Sequence, residues 1–136
     1  MGMLRRLGPW CLLLLAGCAS ASFTSSTLGE RAVFRVGDIA EFRAEDLRVG
    51  FTAVREDSRC PPDVVCFWEG AATVVAWAEK DSLPRQEVVL STTDRTGHSK
   101  RADYLGYQIE LLDVAPPNSG SVQQSDYRVT LVVRAK

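Results

Sequence analysis

Three side chains in the later part of the chain have the types needed for metal or redox chemistry. Cys60, Cys66 and His98, the single histidine, could supply soft ligands to a metal ion if the thiols stayed reduced. A two-cysteine redox centre usually has Cys-x-x-Cys spacing, whereas these cysteines stand six positions apart. We therefore predict no metal site, no cofactor and no redox role.

His98 also raises the possibility of nucleophilic catalysis. A Ser-His-Asp triad could be assembled from His98 with one serine and one aspartate among Ser91, Ser99, Asp94 and Asp103. No nucleophile-elbow motif accompanies any of these serines. Adjacent acids such as Glu56 and Asp57 would face opposite sides of a strand and would not converge. The sequence predicts no catalytic residues, and His98 is expected to lie on the surface.

The N-terminal segment is typical of a protein that leaves the cytoplasm. Residues 1–17 combine the basic pair Arg5 and Arg6 with a short apolar run that includes four consecutive leucines. The run is shorter than the roughly 20 apolar residues of a membrane-spanning helix. Length and flanks favour a secretory signal peptide.

Leu15, Ala16, Gly17 and Cys18 follow that run, and together they resemble the lipobox of bacterial lipoproteins. The resemblance implies cleavage before Cys18 and attachment of diacylglycerol and a further acyl chain, such as palmitate, to that residue. Two or more acyl chains hold a protein stably at a membrane. Neither Ala19 nor Ser20 resembles the aspartate of inner-membrane retention, which favours the periplasmic side of the outer membrane in a Gram-negative organism.

Removal of the signal peptide decides how the remaining cysteines and charges are interpreted. Cys11 leaves with it and Cys18 carries lipid, so Cys60 and Cys66 remain as a pair in an oxidising compartment and are predicted to form a disulfide. Losing Arg5 and Arg6 leaves 14 basic against 17 acidic residues, a formal charge of −3. Such a balance offers no basic face for nucleic acid.

In the mature chain apolar residues mostly repeat at every second position, as in strands, and seldom at the spacing of a helix. Residues 18–31 are rich in Ser and Thr and are predicted to form a flexible tether, followed by one domain over 32–136. Alternating apolar residues predict strands at 47–54 and 127–134, and residues 70–79 are apolar on both faces, as in a central strand. In 107–115 the apolar phase shifts by one residue, which indicates a β-bulge. With further runs at 33–36, 39–42 and 86–92, about seven strands predict an all-β antiparallel sandwich or small barrel.

The densest group of unusual residues is EDSRCPPDVVCFWEG, residues 56–70. A disulfide across so small a loop would stabilise the fold by about 2 kcal/mol. Pro61 and Pro62 stiffen it further. Asp57 and Arg59 are expected to hydrogen-bond the loop backbone or each other, and Trp68 to pack in the core or to anchor the loop beside the disulfide. The alternative is a binding loop that displays side chains to a partner: Asp57, Arg59, Pro61, Pro62, Asp63, Phe67 and Trp68.

This stretch resembles a DSRCP-x-x-x-x-C-x-W-x-G-x-A motif of small, uncharacterised bacterial secreted and lipoprotein β domains. The resemblance continues through a strand over 104–116 and an Asp-Tyr-Arg strand start at 126–128. It implies no activity. Four hypotheses remain: a non-enzymatic domain that binds an envelope protein or polymer, a structural envelope component, a periplasmic inhibitor of a lysozyme or protease, and, least favoured, an enzyme.

Overall fold

A computed structural model describes residues 21–94 and 97–136. The predicted signal peptide and Cys18 lie outside the described residues. Nine strands form in chain order: β1 (Phe23–Ser25), β2 (Arg31–Arg35), β3 (Ile39–Phe42), β4 (Leu47–Asp57), β5 (Ala72–Lys80), β6 (Gln86–Ser91), β7 (Arg101–Tyr104), β8 (Tyr107–Ala115) and β9 (Arg128–Ala135). Two single 3-10 turns, Arg43–Glu45 and Gln124–Asp126, complete the regular structure of the described part.

The strands form two sheets that pack face to face. The first sheet has the order β1-β3-β4-β5-β6 and the second the order β2-β9-β8-β7. All neighbours are antiparallel except β1 and β3, which are parallel. The predicted all-β sandwich is confirmed.

The core lies between the sheets and is built from the alternating positions of both. Val74, Ala76 and Leu90 of the first sheet are buried with Leu131 and Ile109 of the second. β5 lies between β4 and β6 and has buried residues on both faces, as the apolar run at 70–79 predicts. The strand that directly follows the cysteine loop is therefore a buried interior strand of the five-strand sheet.

Bulges adjust which residues of β4 and β8 face the core. The phase change in β8 is a bulge between Leu111 and Asp113, as predicted, and it buries Val114 while leaving Leu112 exposed. β4 has two register shifts, and the one between Phe51 and Ala53 buries Val54 in place of Ala53. The backbone of Val54 bonds to the Gln124 side chain, whose Oε1 accepts from Val54 N–H at 3.1 Å and whose Nε2 donates to Val54 O at 2.7 Å.

The N-terminal strand begins earlier than the domain boundary suggested by hydrophobic pattern. β1 lies within residues 18–31, the segment predicted as a flexible tether, and Phe23 pairs with Ile39. All three of its residues are exposed. Backbone pairing rather than side-chain burial holds β1 on the sheet, so apolar periodicity gives no sign of it. The ordered sheet thus includes part of the predicted tether.

Candidate functional site

The cysteine loop joins β4 to β5 at one end of the sandwich. Cys60 and Cys66 form the predicted disulfide, with an S–S distance of 2.10 Å and a Cα–Cα distance of 5.9 Å. Inside the ring the N–H of Val64 donates to the carbonyl of Pro61 at 3.2 Å, which closes a turn. The ring is therefore constrained by a covalent bond, a turn hydrogen bond and two proline rings.

The two arms of the loop are joined just beyond the strands. The N–H of Ser58 donates to the carbonyl of Ala71 at 2.9 Å, and the Ser58 hydroxyl accepts from the N–H of Ala71 at 3.1 Å. A Cβ atom on Gly70 would lie 1.6 Å from the Ser58 carbonyl oxygen. Glycine is therefore required where the arms approach, and the Gly of the WEG tripeptide has a steric role.

Asp57 and Arg59 form an ion pair at the base of the loop. Asp57 Oδ1 accepts from Arg59 Nε at 2.8 Å and Oδ2 accepts from Nη2 at 2.7 Å, while the Arg59 N–H donates to Oδ1 at 3.2 Å. The two side chains are 7% and 17% exposed. The expectation that these residues bond each other and the loop backbone is confirmed. A bidentate pair of this kind fixes the relative orientation of the two side chains and is stronger than a hydrogen bond between neutral groups.

This pair also ties the first sheet to the second. Arg59 donates to two carbonyls at the end of β8, those of Val114 and Pro116, the latter at 2.7 Å. The hydroxyl of Tyr127, just before β9, donates to Asp57 Oδ2 at 3.0 Å. We call Asp57, Arg59 and Tyr127 the clamp.

Asn118 supports the clamp from the connection between β8 and β9. Its Nδ2 donates to the carbonyl of Arg59 at 2.8 Å and to that of Asp57 at 3.3 Å. Asn118 and Tyr127 were not predicted to belong to the site because they lie about 60 and 70 residues from the loop in the chain. The Asp-Tyr-Arg motif was the available signal for Tyr127, but its partner was not evident.

The clamp shifts the protonation equilibria of its members. Burial desolvates the Asp57 carboxylate and works to raise its pKa, but hydrogen bonds from Arg59 and Tyr127 outweigh this and hold the pKa below its ordinary value. Burial and the neighbouring Asp57 carboxylate raise the pKa of Tyr127. The pKa of Arg59 is raised by its hydrogen bonds to Asp57. At neutral pH the clamp is therefore an ionised pair with a neutral phenol, an arrangement suited to structure rather than proton transfer.

The far part of the loop presents apolar side chains to solvent. Phe67 and Trp68 are 89% and 78% exposed, with ring centroids 4.8 Å apart in an edge-to-face arrangement. Val64 and Val65 are also exposed. The expectation that Trp68 packs in the core is wrong, because its side chain lies in solvent, where the two aromatic rings pack on each other. We call Val64, Val65, Phe67 and Trp68 the tip.

The remaining candidate residues of the loop lie between tip and clamp. Pro61 is half-buried, whereas Pro62 and Asp63 are exposed beside the tip. A surface cleft of about 310 Å³ runs along one side of the loop, with Glu69, Lys100 and Asp113 among its lining residues. Its charges are mixed, and Arg59, which also lines it, is already engaged in the clamp.

Of the other residues considered for chemistry, His98 lines a shallow surface pocket beside Ser58 and Ala71, and the two cysteines are held in the disulfide. His98 is exposed, and no described residue makes a hydrogen bond or ion pair with its imidazole. Asp94 Oδ1 instead accepts from the Ser99 hydroxyl at 3.0 Å and from the Lys100 N–H at 3.0 Å. The disulfide removes two thiolates from any metal site, and the described residues contain no group of three metal-ligating side chains.

Comparison with protein-family models, with curated proteins and with solved structures finds no match for this chain. Within the described ranges, no helix has the length and apolar character to cross a membrane.

Proposed function

We propose that this protein is a lipid-anchored domain of the bacterial cell envelope with a non-enzymatic binding role, and that the tip is its binding surface. The observation that supports this most directly is the exposure of Phe67 and Trp68 on a ring closed by a disulfide. Large apolar side chains grouped on a surface mark an interaction site in a stable domain. Loops on a rigid scaffold are common carriers of binding residues.

The rigidity of the loop supports binding because it lowers the entropic cost of association. A surface that is already held in one conformation loses less freedom when a partner covers it. Here the disulfide closes the ring, the clamp fixes its base, and Asn118 holds the adjoining backbone. If the loop only stabilised the fold, burial of its aromatic side chains in the core would add to that stability. Phe67 and Trp68 instead lie in solvent.

Membrane anchoring rests on the lipobox-like residues 15–18 and on the charged and apolar segment before them. Mass spectrometry of the mature protein is expected to find an N-terminal Cys18 that carries diacylglycerol. Cys18→Ser is expected to release the protein from membrane fractions. A Cys18→Ser variant that remains in those fractions with no mass change would contradict the anchor.

The binding surface is tested by photo-crosslinking in cells. A photoreactive phenylalanine analogue placed at Phe67 is expected to give covalent adducts. The same analogue at Leu105, an exposed leucine in the turn between β7 and β8 at the opposite end of the sandwich, is the matched control and is expected to give few. Equal adduct yields at the two positions would contradict a role for the tip.

A periplasmic hydrolase inhibitor is the second candidate, and the same projecting ring favours it. A stiff loop that ends in two aromatic rings has a shape that can enter an enzyme cleft. Purified protein would then inhibit a lysozyme or an envelope protease, and Phe67→Ala would weaken that inhibition while Leu105→Ala would not. Full retention of inhibition by Phe67→Ala would exclude the tip as the inhibitory element.

A further inference from the structure

The first strand determines the direction from which the membrane anchor approaches the domain. β1 runs parallel to β3, and Phe23, Ile39 and Gly50 stand at one level of the sheet. From that level β1 and β3 both run away from the cysteine loop, since Phe42 pairs with Leu47 at the start of β4. The chain before Phe23 therefore arrives from the end of the sandwich that carries the loop.

The chain between the lipid and the sheet is short. Cys18 precedes Phe23 by five residues, which span at most about 17 Å when fully extended. The level of Phe23 lies about 17 Å from the loop end of the sheet, because five residues of β5 separate Trp77, opposite Gly50, from Ala72, opposite Asp57. Even a straight tether thus brings Cys18 no further than the rim from which the loop projects.

We infer that the tip inserts into the surface of the same bilayer that holds the Cys18 lipid, as a second contact between domain and membrane. The inference rests on the proposed lipid anchor and names the partner of the tip. With the loop end facing the membrane, the projecting ring lies at or beyond the plane of Cys18. The tether leaves no room for a second protein between the tip and the bilayer in that orientation.

The composition of the loop fits a shallow insertion. Tryptophan is enriched at the boundary between headgroups and acyl chains. Phenylalanine is among the apolar residues that surface-bound segments bury at that boundary. Val64 and Val65 add apolar surface beside them. The exposed carboxylates of Asp63 and Glu69 limit the depth, because an ionised carboxylate is costly to bury in hydrocarbon.

Tryptophan fluorescence can test this insertion in the full lipoprotein reconstituted into phosphatidylcholine vesicles. Once Trp10 leaves with the predicted signal peptide, the mature chain has two tryptophans, Trp68 at the tip and Trp77 at the level of Phe23. Trp77→Phe isolates the emission of Trp68, and Trp68→Phe isolates that of Trp77. Lipids brominated near the carbonyl end of the acyl chain are expected to reduce Trp68 emission at least about twofold and to leave Trp77 emission nearly unchanged.

The outcomes separate the inference from the proposed function on which it rests. Mass spectrometry of the same sample reports whether Cys18 carries lipid, so an unmodified Cys18 overturns the anchor. Lipidated protein whose Trp68 and Trp77 emissions are quenched equally, or not at all, overturns the insertion alone. In cells, the photoreactive analogue at Phe67 is expected to give phospholipid adducts. Protein adducts without phospholipid adducts would overturn the insertion and assign the tip to a protein partner.

Discussion

The clamp allows a quantitative prediction about how the loop is attached to the sandwich. Asp57→Ala removes the acceptor of three hydrogen bonds from Arg59 and one from Tyr127. The guanidinium of Arg59, which is 17% exposed, then lacks its carboxylate. Removing one partner of a buried ion pair costs about 3–5 kcal/mol. Because Arg59 keeps its bonds to two carbonyls of the second sheet, we expect a loss of about 3 kcal/mol, at the low end of that range.

The matched control is an ion pair on the surface of the same sheet. Arg55 of β4 pairs with Glu87 of β6 at 3.2 Å, with side chains 57% and 59% exposed. Glu87→Ala is expected to cost less than about 1 kcal/mol. Urea denaturation at neutral pH measures both free energies of unfolding. If Asp57→Ala cost no more than Glu87→Ala, the clamp would not be the attachment that the structure indicates.

The pH dependence of the same residue has a definite sign. The pKa of Asp57 in the folded protein is held below its ordinary value of 3.8. Its charged form therefore stabilises the fold fully above that ordinary value, and the contribution is lost as pH falls through the lower, folded-state pKa. Asp57→Asn should be less stable than wild type at neutral pH, and the gap should close in acid. A gap that stayed constant well below pH 3.8 would show that geometry, not charge, is responsible.

Three further measurements probe neighbouring parts of the loop. Tyr127→Phe removes the hydroxyl bonded to Asp57 and should lower the free energy of unfolding by about 1–3 kcal/mol, measured in urea; no change would imply that water replaces the phenol. Gly70→Ala places a methyl group against the Ser58 carbonyl and should lower the free energy of unfolding by about 1–3 kcal/mol. It should also shift the amide NMR resonances of both loop arms, and unshifted resonances would contradict the close approach. Reduction of the disulfide should cost about 2 kcal/mol in urea, and alkylation with mass spectrometry should find both cysteines unreactive beforehand; thiols that react without reductant would contradict the closed ring.

The alternation of apolar and polar residues predicted most strands of the sandwich, because most of these strands bury one face. The bulge in β8 was visible because Leu111 and Leu112 put apolar residues at two consecutive positions. The bulges in β4 were not visible, since Ala53 and Val54 are both apolar and fit a strand in either phase. β1 escaped detection because it buries no side chain. β7, likewise, lies within a polar stretch that pattern alone assigns to a loop.

In the candidate site, contacts between residues close in the chain were predictable and contacts between distant residues were not. Pairing of Cys60 with Cys66, and of Asp57 with Arg59, follows from short spacing and complementary chemistry. The contacts to Asn118 and Tyr127 depend on how two sheets meet, which no local pattern contains. Exposure of Trp68 was predicted wrongly because a tryptophan beside a disulfide often packs in sandwich cores. Here the residues after the ring lie in solvent, and Trp68 packs on Phe67 instead.

The exposed strand β1 would also set how far the domain can move from the membrane under the proposed Cys18 anchor. Its attachment consists of pairing to three residues of β3, with flanking hydrogen bonds at Ser22 and Ser26. If these bonds open, the next links to the body of the domain are the side chain of Leu28, which packs against the core, and the N–H of Gly29, which donates to Val133. The free length behind Cys18 then grows from five to ten residues, and its maximal span from about 17 Å to about 34 Å. If Cys18 carries the proposed lipid, a force that pulls on it would break a few hydrogen bonds of β1 before it acts on the core, and their opening would about double the distance that the domain can reach from the membrane.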